Sequence, residues 1–103
     1  MATAEPKVWS VYVLRCADDT LYTGIATDVE RRIGQHASGS AGAKYLKGRA
    51  PFSLVFEHAV GDRGLASRVE YRIKQLPKVD KEKFVRSPGD FRLLIDSIAD
   101  GGS

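Results

Sequence analysis

At 103 residues, with 43% hydrophobic and 28% charged side chains, the chain is long enough to bury one core and too short for two domains. Sixteen Lys and Arg against thirteen Asp and Glu give +3, a balance that permits a polyanionic partner without requiring one. The lone Cys16, with only His36 and His58 as imidazoles, excludes a disulfide framework and a cysteine-based zinc centre. No apolar run approaches the ~18 residues of a membrane span, so a cytosolic chain without membrane contact is expected.

In chain order, Lys7 to Cys16 and Leu21 to Ala26 read as strands rich in Val, Tyr, Leu, Thr and Ile, with ADDT between them as a turn. Thr27 followed by Glu30 is a capping-box signature and predicts a helix from Asp28 to about Ala37. SGSAGAKYLKGRAP then reads as a basic loop carrying Lys44, Lys47 and Arg49. A third strand is expected in FSLVFEHAV, with Phe52, Leu54 and Phe56 alternating against Ser53, Val55 and Glu57. Asp62 can cap a helix from about Gly64 to Leu76, ended by Pro77, whose stripe is Leu65, Val69, Ile73 and Leu76. A short helix around Asp80 to Val85 follows. The last starts after Ser87 with Pro88 in its first position, and shows an apolar face of Phe91, Leu94, Ile95 and Ile98. The order ββαβααα predicts a small sheet with helices packed on it, α+β or α/β in class. Residues 1–7 and 100–103 are expected to be flexible ends around a single domain at 8–99.

Tyr12 and Tyr22 occupy strand positions where Leu, Ile or Val would need no partner for a hydroxyl. Alternation groups Ser10, Tyr12, Leu14 and Cys16 on one face, and Trp9, Val11 and Val13 on the other. A three-residue loop at Asp18, Asp19 and Thr20 sets Tyr12 opposite Ala26 and both tyrosines on one face. A two-residue loop sets them on opposite faces, and the residues leave both open. The face of Trp9, Val11, Val13, Leu21 and Ile25 is the better core.

Arg32 and His36, four apart, stack on one helical face beside the stripe of Val29, Ile33 and Ala37. An arginine at such a shoulder either snorkels to solvent or aims into a cleft. Arg31 and Glu30 read as solvent-facing. Glu70 borders the apolar face of its helix, either aimed inward or paired with Lys74 one turn on. Gly34 costs a helix interior about 1 kcal/mol relative to Ala, which suggests close approach of a neighbour there. Two phenols, a guanidinium, an imidazole and one carboxylate suit phosphodiester hydrolysis. A phenol can orient or deprotonate water, a guanidinium can offset phosphate charge, and one carboxylate with waters suits Mg²⁺.

Those residues, in that order, resemble the GIY-YIG nuclease domain. SVY (Ser10 to Tyr12) stands where the family has GIY, and YTG (Tyr22 to Gly24) where it has YIG. TDVERRIGQH is similar to the family's arginine helix, and LASRVEYRIKQL to the helix of its metal-binding glutamate. Ser10 and Thr23 depart from the motif's Gly and Ile, and the chain has no asparagine, which some branches use late in the domain. The resemblance, strongest to the small stand-alone bacterial members, implies a three-stranded antiparallel sheet flanked by helices that hydrolyses DNA with one divalent metal. It implies Tyr22 as general base or water-orienting group with Tyr12 in support, and Arg32 on the phosphate. His36 would serve proton transfer or phosphate contact, and Glu70 would hold Mg²⁺ or Mn²⁺. Lys44, Lys47 and Arg49 are the candidate contacts to the DNA backbone, which position a duplex without reading sequence. The expected function is a low-specificity DNA endonuclease, in DNA repair or processing. The alternatives are a non-catalytic nucleic-acid-binding module on the same fold, or a partner-dependent subunit docking a protein through the final helix.

Overall fold

The computed structural model describes residues 7–38 and 51–100. Its elements are β1 (Trp9–Arg15), β2 (Leu21–Ala26), α1 (Val29–Ser38), β3 (Ser53–Gly61), α2 (Arg63–Lys74), α3 (Lys78–Arg86) and α4 (Pro88–Ala99). The strands form one antiparallel sheet in the order β2-β1-β3, the expected ββαβααα arrangement. β1 lies between two neighbours and is covered on both faces, so Val11, Tyr12, Val13 and Leu14 are all buried. That is why its sequence is nearly continuous in apolar and aromatic residues rather than alternating with charges.

The β1–β2 turn settles which tyrosine arrangement holds. Cys16 N donates to Thr20 O at 2.9 Å and Asp19 N to Cys16 O at 2.9 Å, which closes a three-residue loop at Ala17, Asp18 and Asp19. Asp19 takes φ +68°, the left-handed residue such loops require. Thr20 Oγ1 donates to Asp18 Oδ1 at 2.6 Å and stiffens the turn. The loop is thus one residue earlier than the sequence suggests. Both tyrosines share a face, but Tyr12 pairs with Gly24 and not with Ala26. On the turn's flank, Arg15 grips Glu82 of α3 with both amino groups, at 2.9 and 2.7 Å, and Lys78 reaches Asp19 at 2.9 Å.

Each face of the sheet has its own core. On one, Val11, Val13, Leu21 and Phe56 pack with Val69 and Ile73 of α2 and with Phe91, Ile95 and Ile98 of α4. Phe91 meets Phe56 edge-on, with ring centroids 4.6 Å apart. The face of α4 that could have docked a partner is therefore spent on the core. On the other side Tyr12, Leu14, Cys16 and Ala26 pack with Val29 of α1, with Tyr22, Ile33 and Phe52 partly buried against them.

β3 departs from simple alternation. Val13 pairs with Phe56 but Leu14 pairs with Leu54, which leaves Val55 as a bulge. The bulge reverses the phase of the strand. Phe56 enters the helix-covered core, Phe52 joins the tyrosine side, and Leu54 is 42% exposed.

Two helix starts follow from side-chain caps. Asp62 Oδ1 accepts from Leu65 N at 2.8 Å and starts α2 as expected. At α1 the cap is Asp28, whose Oδ1 accepts from Arg31 N at 3.1 Å, so a single side-chain cap one residue on replaces the capping box expected at Thr27 and Glu30. α2 ends at Lys74, and Pro77 precedes the first turn of α3, so α3 begins two residues before the expected Asp80.

Among the described residues Gly34 does not serve a close approach: a Cβ there would meet none of their atoms within 4 Å. Its substitution should therefore recover helix propensity alone. Gly34→Ala is expected to raise unfolding free energy by about 0.5–1 kcal/mol in denaturant titration, and a destabilised variant would show that this helix face is covered.

Candidate active site

The register Tyr12↔Gly24 sets the centre of the site. A Cβ on Gly24 would lie 2.5 Å from Tyr12 Oη and 2.6 Å from Cζ, so the phenol ring occupies the space a side chain would need. Lying across the neighbouring strand, the Tyr12 ring brings its hydroxyl 3.1 Å from Nε2 of His36 on α1. Tyr22, two residues before Gly24 on β2, shares this face. Its ring centroid is 6.4 Å from that of Tyr12, and 5.7 Å from the His36 ring, which it meets edge-on.

An open cleft of about 450 Å³ begins at this cluster. Tyr12, Tyr22, Arg32 and Glu70 all line it, so β1, β2, α1 and α2 each contribute one of the expected residues. α2 delivers its glutamate because Ala66, Val69 and Ile73 anchor the helix in the core, leaving the adjoining Glu70 at the margin of that buried stripe. Both readings of Glu70 hold at once. Its carboxylate lines the cleft and also sits 3.4 Å from Lys74 Nζ, whose ammonium lies 5.9 Å from the centre of the Tyr22 ring. Arg32 is exposed along its helix, reaches Gln35 Oε1 at 3.4 Å and faces the same cleft.

The electrostatics divide the cluster into a buried part and an open part. Burial pushes the Tyr12 phenol from its ordinary 10.0 up to about 12; the nearby Tyr22 and Glu70 act in the same direction, and hydrogen bonding and charge from Arg32 pull the other way. Burial, and then the charge of Arg32, lower the His36 pKa below its ordinary 6.5. At neutral pH Tyr12 therefore keeps its proton and His36 is an uncharged ring. His36 is only 7% exposed, and its Nδ1 has no hydrogen-bond partner among the described residues. It stands behind Tyr12 and does not line the cleft.

Lys44, Lys47 and Arg49 lie outside the described residues. Several cleft residues were not singled out from sequence as site residues. Arg31, read as solvent-facing, lines the cleft beside Arg32, and Arg63 enters it from the first residue of α2. Trp9, assigned by alternation to the core face, also lines it, as does Ile25. The cleft takes residues from both faces of the sheet along β2, an edge strand, which strand alternation does not reveal. Three arginines against Glu70 and Asp28 leave the cleft walls net positive, suited to an anion.

Sheet, helices and the convergence of these side chains are those the sequence resemblance implies. The chain belongs to the GIY-YIG family, whose catalytic domain matches residues 8–83. Within it, the UPF0213 protein YhbQ of Escherichia coli is 53% identical over 90 residues, which cover 87% of this chain and 89% of that protein. The solution structure of the UPF0213 protein BH0048 from Bacillus halodurans is 44% identical with a TM-score of 0.51, over 82% of this chain and 93% of that one. That of EF2693 from E. faecalis is 31% identical with a TM-score of 0.57, over 82% and 90% of the two chains. Family membership supports a nuclease-type role for the chain.

The buried pair makes stability depend on pH at both ends. His36 is depressed in the folded state, so the unfolded chain takes up a proton first and stability is lost as pH falls below about 6.5. Tyr12 is raised, so the unfolded chain loses its proton first and stability is lost as pH climbs from about 10 toward 12. Thermal melts across this range should show a falling melting temperature on each side. In His36→Gln the loss below about pH 6.5 should shrink; an unchanged acid slope would contradict the buried neutral imidazole.

Proposed function

We propose that this cleft hydrolyses DNA phosphodiester bonds with the help of one divalent cation, Mg²⁺ or Mn²⁺, and with little sequence preference. The observation that carries the reading is the convergence of Tyr12, Tyr22, Arg32 and Glu70 from four separate elements on one positively lined cleft. A structural role for any one of them would not require the other three to meet there.

The cleft's donors fit such a cation. Among the described residues no three His, Cys, Asp or Glu side chains gather as a ready-made metal cage. What the cleft offers is the Glu70 carboxylate, while Asp28 is engaged in capping α1. One hard carboxylate, completed by water and phosphate oxygens, suits an ion that keeps much of its hydration shell. Glu70 would hold it in place of the Lys74 ammonium. When bound, the cation supplies positive charge against the phosphate and the leaving oxygen.

The side chains divide the remaining work. Tyr22, half-buried in the cleft wall, orients the attacking water through its hydroxyl or, where a neighbouring cation favours its phenolate form, takes the water's proton as base. Tyr12 supports it as a hydrogen-bonding group that stays protonated near neutral pH, its hydroxyl fixed by His36. His36, with Nε2 engaged by Tyr12 and its ring buried, acts through Tyr12 in proton transfer rather than by touching the phosphate. The Arg32 guanidinium holds the phosphate and offsets charge as it develops. Arg31 and Arg63 add cationic contacts that bind any DNA backbone, and Lys44, Lys47 and Arg49 extend that contact. Such backbone binding suits an enzyme of DNA repair or processing in the cytosol.

Supercoiled plasmid with Mg²⁺ or Mn²⁺ tests this directly. The wild type should nick it, EDTA should stop the reaction, and Glu70→Ala or Arg32→Ala should each slow it by about 100-fold or more in a folded protein. Nicking that survives Glu70→Ala but not EDTA would remove the metal from Glu70. Absence of nicking on plasmid, branched and single-stranded DNA would contradict the proposal.

A further inference from the structure

The cleft holds two residues that the hydrolysis above does not use as its chemistry. Trp9 is half-buried in the cleft wall, and the Arg63 guanidinium lies over its ring, 5.4 Å from the centroid. Trp9 precedes Tyr12 by three residues on β1, and Arg63 precedes Glu70 by seven on α2. At about 3.3 Å per strand residue and about 1.5 Å per helix residue, both separations are close to 10 Å. Trp9 and Arg63 thus meet at a similar distance along their own elements from Tyr12 and from Glu70.

We infer that Trp9 and Arg63 form a stacking subsite for an unpaired nucleobase of the strand being cut, an inference that rests on the nuclease reading of the cleft. An indole left half-open in a wall that also carries three arginines is an ill-fitting core residue and a good platform for a π-face. The residues that share its strand face, Val11 and Val13, are fully covered in the core. Stacking a base on an aromatic side chain strengthens binding roughly fivefold to 150-fold per base, and an exposed cation–π contact roughly twofold to fivefold. A base thus displaces the exposed Arg63 guanidinium from the indole with a net gain. The guanidinium then covers the outer face of the base or pairs with the adjoining phosphate. Within a duplex both faces of every base are already stacked, so the subsite favours single-stranded, frayed or branched DNA over intact duplex.

Trp9 is the only tryptophan of the chain, so its own fluorescence reports the event. The full-length protein is titrated in EDTA, where no cutting occurs, with an oligothymidylate of about twelve nucleotides. A second titration uses a strand of equal length and charge built of abasic units, and a third uses a hairpin duplex. Oligothymidylate should quench Trp9 and bind about tenfold tighter than the abasic strand, and the hairpin should leave Trp9 emission nearly unchanged. Trp9→Leu should bring the thymidylate and abasic strands within about twofold, and Trp9→Phe, which keeps an aromatic plane, should retain part of the difference. Equal affinities in the wild type, a preference that survives Trp9→Leu, or no binding of either strand would overturn the subsite. The two readings separate cleanly. Stacking without Mg²⁺-dependent nicking removes the hydrolysis and keeps the subsite; nicking without stacking does the reverse.

Discussion

The contact between the Tyr12 ring and the backbone of Gly24 is the constraint on which the site depends. A phenol cannot lie across a neighbouring strand where that strand carries a side chain, and the 2.5 Å that would separate a Cβ from Oη leaves no room for even a methyl group. The missing side chain turns one position of β2 into a trough for a ring from β1. Because the ring is laid down there, its hydroxyl meets His36 on α1, and the helix, hairpin and second tyrosine are fixed relative to one another. Burial then gives the pair its electrical character. The phenol is held protonated and the imidazole neutral, so the inner site is uncharged while the arginines and Glu70 carry charge at the open side.

A second consequence comes from the position of β2 at the edge of the sheet. A central strand presents its two faces to separate layers, but an edge strand lets a cleft run over it from one face to the other. α1 approaches with Arg32 and α2 with Glu70, each anchored by its own apolar stripe in a different core. The two helices can thus place opposite charges on one cleft without being packed as a buried ion pair, which would cost desolvation on both sides. The ion pairs that tie Arg15 to Glu82 and Lys78 to Asp19 brace the far end of the hairpin. They hold the turn whose left-handed Asp19 decides the register.

Much of this was legible in the sequence, and the gaps have physical causes. The helices, the Asp62 cap, the core role of Val11 and Val13, and the family follow from periodicity, turn chemistry and ordered motif residues, whereas the second core around Tyr12 and Leu14 does not. The partner of Tyr12 did not, because a shift of the turn by one residue preserves which face each side chain takes while moving the pairing from Ala26 to Gly24. The bulge at Val55 left no mark on the alternation of Phe52, Leu54 and Phe56, since a bulge changes phase without changing composition. Trp9, Arg31 and Arg63 escaped notice as site residues because strand parity and helical wheels describe one element at a time. Their meeting depends on how an edge strand and two helices stand together. Gly34, which looked like a point of close approach, has no neighbour among the described residues within reach of a Cβ, and Gly24 is the glycine that a ring lies against.

The most direct test joins the register to the chemistry through Gly24→Ala. A single methyl there displaces the Tyr12 ring and its hydroxyl but leaves Arg31, Arg32, Arg63 and Glu70 in place. Single-turnover nicking and DNA affinity should be measured on the same folded variant, with circular dichroism to confirm the fold. The account predicts a cleavage rate lowered by at least about tenfold at nearly unchanged affinity. A folded Gly24→Ala protein that nicks at the wild-type rate would contradict it, because the phenol over the glycine would then be packing and not part of the reaction.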